Sequence, residues 1–337
     1  MQPWRLALAR CRRLLAMAAA ATVVAASAAS AQSTAVDDLL SAVVQLKTYI
    51  NPDGRTVKGL GQQRNGSGIV IDDNGLILTI GYLMVEAHSA ELVTNAGRKV
   101  AADVVGYDHD TGFGLLRAAE PLKLKPLLLG KSSELKERDQ VLAASFGGRA
   151  GIAPAYVMAR REFAGAWEYL IPDAIFTAPA HSEWSGAALV SREGKLVGVG
   201  SLVVGDVTGQ GKNLPGNMYV PIDLLPPILA DLIAAGRVSG PGRPWLGLNA
   251  EELRGRVFVS RVTSEGPAEK AGIHAGDIIV GVNGEAPRSL ADFYRKVWAL
   301  GGAGASVPLD LLQDAGVKRI EVKSINRLDH LRLKSTF

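Results

Sequence analysis

Between Ser41 and about Val220 the apolar residues come in short β-branched runs cut by Gly and Asn, such as Gly68-Ile69-Val70-Ile71, Gly75-Leu76-Ile77-Leu78-Thr79 and Lys195-Leu196-Val197-Gly198-Val199. Runs this short, with turn residues between them, predict many strands closed into a barrel or sandwich. From Pro221 to Gly236 the pattern becomes that of one helix. Asp223 is its expected N-cap, Pro226 and Pro227 fall in the first turn where a missing amide proton costs little, and Gly236 closes it. Ser239-Gly240-Pro241-Gly242-Arg243-Pro244 reads as a linker by composition. Beyond Trp245 a second unit mixes strands (Val257 to Val262, Asp277 to Val282, Val307 to Leu312, Lys318 to Val322) with two helices. The clearer helix begins at Ser289, which has capping-box spacing with Asp292, and it sets Leu290, Phe293, Val297 and Leu300 along one face.

The first 31 residues stand apart. Arg5, Arg10, Arg12 and Arg13 precede a small-residue apolar run from Leu14 to about Ala29, and Ala29-Ser30-Ala31 follows the cleavage pattern of a signal peptide. The run is shorter than the ~20 residues of a spanning helix, so export to the periplasm or beyond, without stable membrane insertion, is expected. The Arg12-Arg13 pair matches a twin-arginine signal poorly, so the export route stays open. Removing this leader changes the charge picture. It holds four of the 37 basic residues and none of the 33 acidic ones, so the net +4 is its own and the remainder is balanced. That leaves no electrostatic case for nucleic acid. Cys11, the single cysteine, leaves with the leader, so the mature chain has neither a disulfide nor a thiol nucleophile. Its roughly 300 residues exceed one hydrophobic core. The expected division is leader 1–31, β unit 32–236, linker 237–244, second unit 245–326 and tail 327–337. No residues have metal-ligand spacing and no phosphate-cradling loop occurs, so no metal and no cofactor are expected.

Four segments share their order and spacing with one known family. They are Gly66-Ser67-Gly68 running through Asp72 to Thr79; Val105-Gly106-Tyr107-Asp108-His109-Asp110-Thr111-Gly112-Phe113-Gly114-Leu115-Leu116; Trp184-Ser185-Gly186-Ala187-Ala188-Leu189-Val190 with Gly194 to Val199; and Trp245-Leu246-Gly247-Leu248 followed by Gly266-Pro267-Ala268 and Ala275-Gly276-Asp277. Together they resemble the HtrA/Deg proteases. The resemblance implies a mainly β fold, a trypsin-like double β-barrel followed by an α+β PDZ domain.

Carried over position by position, the resemblance exposes departures. The family's Thr-Asn-Asn-His-Val-Val stands as Thr79-Ile80-Gly81-Tyr82-Leu83-Met84, so Tyr82 replaces the catalytic base; sliding by one residue puts Leu83 there instead. A phenol of pKa about 10 does not serve as an imidazole does at neutral pH. Gly112 stands where the orienting Asp is expected, with Asp110 displaced by about 7 Å on strand geometry. Ser185 keeps the nucleophile position, but Glu183 replaces the glycine that donates an oxyanion-hole amide, and Trp184 is large enough to fill the cleft. Five histidines (His88, His109, His181, His274, His330) are candidates for a relocated dyad.

For the second unit the resemblance implies a peptide site. Leu246, Gly247 and Leu248 match the loop whose amides receive a terminal carboxylate, and Leu290, Phe293 and Val297 would complete the apolar pocket. The opposing possibility is a domain packed on its own barrel. The expected function is an exported pseudoprotease that binds polypeptides or protein C-termini in quality control or protease regulation. The alternatives are an active serine endopeptidase with a rearranged base, and a structural subunit joining a homologous protease in mixed oligomers. A homo-oligomer is compatible with the family.

Overall fold

The computed structural model describes residues 36–314 and 316–333. The leader and the last four residues lie outside the described part. Six strands, β1 (Val43–Ile50), β2 (Gln63–Val70), β3 (Leu76–Ile80), β4 (Ala87–Val93), β5 (Lys99–Tyr107) and β6 (Phe113–Ala118), close a barrel in the order β1-β2-β3-β6-β5-β4. Six more, β7 (Gln140–Ala144), β8 (Ile152–Gly165), β9 (Tyr169–Ala178), β10 (Ala188–Val190), β11 (Leu196–Val204) and β12 (Gly216–Pro221), close a second in the order β10-β11-β12-β9-β8-β7. β3 is buried at every position because one face fills its own barrel while the other meets the second barrel near β11. A strand covered on both faces loses the alternation of a half-exposed one. One apolar cluster accordingly runs through both barrels, from Leu46, Ile77 and Phe113 to Phe176, Val199 and Val220.

The predicted helix is shorter than expected, Pro226–Ala235, with Gly236 in the left-handed conformation closing it. Asp223 is not its N-cap. It lies one turn earlier, in the 3-10 turn Ile222–Leu224, where its carboxylate accepts from the amides of Ser132 (2.8 Å) and Ser133 (2.8 Å). The helix packs its C-terminal end on β5, where Tyr107 N donates to Gly236 O at 3.1 Å. Gly106 permits that approach, since a Cβ there would sit 2.8 Å from Leu232 O.

The C-terminal unit is a five-stranded antiparallel sheet in the order β13 (Leu248–Leu253), β14 (Arg256–Val262), β15 (Ile278–Val282), β16 (Ser306–Gln313) and β17 (Gly316–Lys323). The helix Leu290–Trp298 covers one face. Ser289 caps it, its hydroxyl accepting from Asp292 N at 3.1 Å, while Asp292 reaches back to Arg288 N at 2.9 Å. The chain then returns to the first barrel. Arg332 N donates to Glu86 Oε1 at 2.7 Å, and the Arg332 guanidinium pairs with Asp53.

Glu86 is the fastener of that return. It is 2 % exposed and also accepts from Arg55 N (3.0 Å), Thr56 N (2.8 Å) and Thr56 Oγ1 (2.6 Å). Burial pushes its carboxyl up, but these bonds outweigh burial and hold it below the ordinary glutamate value. Glu86→Ala leaves these buried donors without their acceptor. A loss on the order of 3 kcal/mol is expected in urea unfolding. A change no larger than that of an exposed substitution would show that the tail is held elsewhere.

Candidate active site

The serine turn is clamped between two strands of different barrels. Ser67 N on β2 donates to Ser185 O at 2.8 Å, and Gly186 N donates to Gly200 O on β11 at 3.0 Å. Gly186 has φ +72°, and a Cβ there would lie 2.1 Å from Ser67 O, so only glycine fits. This seats Ser185, half-buried, at the edge of a cleft of about 580 Å³ lined by Gln45, Asn65, Gly66, Phe146, Glu183 and Trp184. Trp184 therefore lines the cleft and does not fill it. The Glu183 side chain is exposed beside Ser185.

Tyr82 follows β3 in the 3-10 turn Gly81–Leu83. The β3–β6 register pairs Ile80 with Phe113, and Gly81 N donates to Gly112 O at 2.7 Å, so the base and acid positions are neighbours. Tyr82, not Leu83, faces the serine: its Oη is 2.8 Å from Ser185 Oγ. The same Oη donates to Ser201 O at 2.9 Å. A phenol has one proton, and it is committed to that carbonyl, so Ser185 is the donor and the phenol oxygen the acceptor. Burial raises the Tyr82 pKa above its ordinary value, with hydrogen bonds from Ser185 and Trp184 acting the other way. Fewer than about one molecule in a thousand carries the phenolate at pH 7.

Among the described residues no carboxylate bonds to Tyr82. Gly112 has φ +80°, and a Cβ there would lie 3.0 Å from Tyr169 Oη. Tyr169 in turn donates to Thr111 O at 2.7 Å. Asp110 is not a partner of Tyr82; with its side chain 40 % exposed it pairs with Arg243 at 3.1 Å, and partial burial pushes its carboxyl up to about 6 against that arginine. The relocated dyad also fails geometrically. His181 Nε2 bonds Ser145 Oγ at 3.1 Å, and His109 Nε2 receives Arg327 Nη1 at 2.8 Å. His330 lies against Trp245, and His88 and His274 are exposed. Among the described residues no group of His, Cys, Asp and Glu is arranged to hold a metal.

The residues of the second predicted site lie together, against the β8–β9 hairpin. Leu246 N donates to Glu168 Oε2 at 2.9 Å, while Gly247 N and Leu248 N donate to Glu168 Oε1 at 2.8 and 3.1 Å. Leu290, Phe293 and Val297 are buried in one cluster with Leu246, Leu248 and Leu170 of β9. Sequence reasoning missed Glu168, Tyr169, Ser201 and Tyr294. An acid in a hairpin turn carries no local signal of the distant amides it will meet.

Residues 66–199 match the trypsin-like peptidase domain family and residues 244–324 the PDZ domain family. The chain is 29% identical over 313 residues to a probable periplasmic serine endoprotease DegP-like of Pseudomonas fluorescens, covering 87% of this chain and 64% of that one. The chain belongs to the HtrA/Deg family. It is 27% identical over 279 residues to the periplasmic pH-dependent serine endoprotease DegQ of Escherichia coli, covering 76% and 58%. This HtrA/Deg chain thus spans about six-tenths of the length of these curated relatives. Among solved structures, HtrA-type protease AlgW with decapeptide aligns with TM-score 0.53 at 21% identity, covering 89% of this chain and 98% of that one. The serine endoprotease from Yersinia pestis aligns with TM-score 0.51 at 24% identity, covering 86% and 96%. At these identities the solved structures support the shared fold. Among the described residues no helix is long and apolar enough to cross a membrane.

Glu168 gives this HtrA/Deg chain a pH signature. Burial pushes its carboxyl up to about 7, against the amides of Leu246 and Leu248, Arg327 and the amide of Gly247. A carboxyl raised above its unfolded value of about 4.5 contributes fully below that value and loses its contribution as pH rises toward 7. Wild type should therefore lose on the order of 3 kcal/mol between pH 4.5 and 7.5 relative to Glu168→Gln, read from parallel urea titrations. Parallel curves for the two proteins would refute the buried-carboxyl assignment.

Proposed function

We propose that this protein is a non-hydrolytic HtrA/Deg protein of the periplasm, exported by residues 1–31, that binds polypeptide without cutting it in protein quality control or in regulating a homologous protease. The observation that carries the reading is the hydrogen bond from Ser185 to Tyr82. A serine hydroxyl attacks a carbonyl only when a neighbouring base takes its proton. Here the neighbour is a phenol whose own proton is held by Ser201 O, and the position behind it belongs to a glycine packed against Tyr169. Losing the base alone costs on the order of a millionfold in turnover, and the missing acid adds little to that.

Polypeptide binding is supported by two features. The cleft at Ser185 keeps a volume of about 580 Å³. The PDZ loop amides of Leu246, Gly247 and Leu248 converge on the carboxylate of Glu168, which supports reading the loop as a receptor for a terminal carboxylate. HtrA-type protease AlgW, which shares the fold, has been solved with a decapeptide and with a tripeptide.

A fluorophosphonate probe separates this reading from an active endopeptidase. The purified protein should not label above a heat-denatured control, and casein should remain intact. Tyr82→Phe should remove about 1 kcal/mol of stability through the lost Ser201 bond. It should create no labelling and abolish none. Labelling of wild type that disappears in Ser185→Ala would sink the proposal, and its further disappearance in Tyr82→Phe would identify tyrosinate as the base.

A further inference from the structure

The tip of the β8–β9 hairpin lies in the PDZ groove in the manner of a bound chain end. Ala250 N on β13, the edge strand of its sheet, donates to Ala166 O at 2.9 Å. Two residues on, the Glu168 carboxylate fills the loop at Leu246, Gly247 and Leu248. The segment from Ala166 to Glu168 therefore runs antiparallel to the chain from Leu246 to Ala250 and ends in a carboxylate. That is the direction and the terminal group of a peptide added to a sheet edge. Glu168 has φ +58°, a turn that breaks the strand there and lets the side chain continue where a main-chain terminus would.

The groove's apolar part is served by the same hairpin. Leu170 is 8 % exposed and belongs to the cluster of Leu246, Leu248, Phe293 and Val297, and Ala164 packs against it. The groove helix grips the turn with Tyr294, whose hydroxyl donates to Gly165 O at 2.7 Å and accepts from Glu168 N at 3.3 Å. Arg295 of that helix pairs with Glu162. On the far side Arg327 Nη1 donates to Trp167 O at 2.9 Å, and His109 Nε2 lies 3.3 Å from Glu168 O.

We infer that this hairpin is an internal ligand of the PDZ domain, and that polypeptides with a free C-terminal carboxylate and an aliphatic last residue bind by displacing Glu168 and Leu170 from the groove. The inference rests on the reading of the PDZ domain as a binder of polypeptide ends and adds a gate to it. A terminal carboxylate presents the two oxygens that Glu168 now presents, so both cannot use the loop at once. An aliphatic side chain would take the room Leu170 vacates.

The test uses the full mature chain. A fluorescein-labelled octapeptide ending in a free leucine carboxylate, and the same peptide as its C-terminal amide, are titrated into wild type, Glu168→Ala and Glu168→Gln. Amide hydrogen exchange at Leu246, Gly247, Leu248 and Ala250 is followed in parallel. The gate predicts exchange at those amides faster by tenfold or more in Glu168→Ala. It also predicts at least tenfold tighter binding of the acid peptide to that variant than to wild type, with Glu168→Gln between them and no binding of the amide peptide. Equal binding of the acid peptide to all three proteins overturns the gate while leaving the PDZ domain a binder of chain ends. Exposed amides in Glu168→Ala without binding of either peptide overturns both. Unchanged exchange in a folded Glu168→Ala shows that Glu168 does not hold the groove closed.

Discussion

At the seam between the barrels Gly186 runs so close to the carbonyl of Ser67 that a single methyl group on its α-carbon would be 2.1 Å from the oxygen. Two closed barrels meet there, and the turn carrying Ser185 is part of the seam. Ser67 N and Gly200 O hold it by its backbone, and Thr79 Oγ1 donates to Ser67 O at 2.8 Å from the neighbouring strand. None of these bonds involves the Ser185 hydroxyl. The position of the residue is a consequence of how the barrels pack, and it survives whatever happens to the chemistry around it.

The changes around that hydroxyl fit one another. An imidazole and a carboxylate would normally share the space behind the serine, and phenols occupy it here. The Tyr107 ring lies over Gly81, where a Cβ would meet Cε2 at 2.2 Å, and the Tyr169 hydroxyl stands against Gly112. Buried phenols keep their protons and must donate them. Tyr82 gives its proton to Ser201 O and Tyr169 gives its proton to Thr111 O. These phenols form a neutral arrangement whose protons have acceptors, which avoids the cost of burying ions.

The features written locally were legible in the sequence. Turn glycines and β-branched runs pointed to the barrels, the Ser289 cap and Gly236 stop marked helix ends, and counting from Thr79 set Tyr82 opposite Ser185. The errors fall where a side chain answers a distant partner. Asp223 sits like an N-cap in sequence, yet it binds amides 90 residues away. Asp110 stands two residues from the expected acid position, yet its partner is Arg243 of the linker. Trp184 has the bulk to block the cleft, but the path of the turn sets it along the wall. Glu168 is the extreme case, because its acceptors' partners lie in another domain and only the folded arrangement brings three amides to one carboxylate.

Glu168 and Tyr169 are adjacent, and they face two different domains. One closes the PDZ loop and the other fills the room an aspartate at position 112 would need. An aspartate placed at position 112 would have to push the tyrosine aside, and with it the hairpin that reaches the second domain. The room beside Gly112 and the joint between the domains are therefore set by one pair of neighbouring residues, so that remodelling either one is felt at the other.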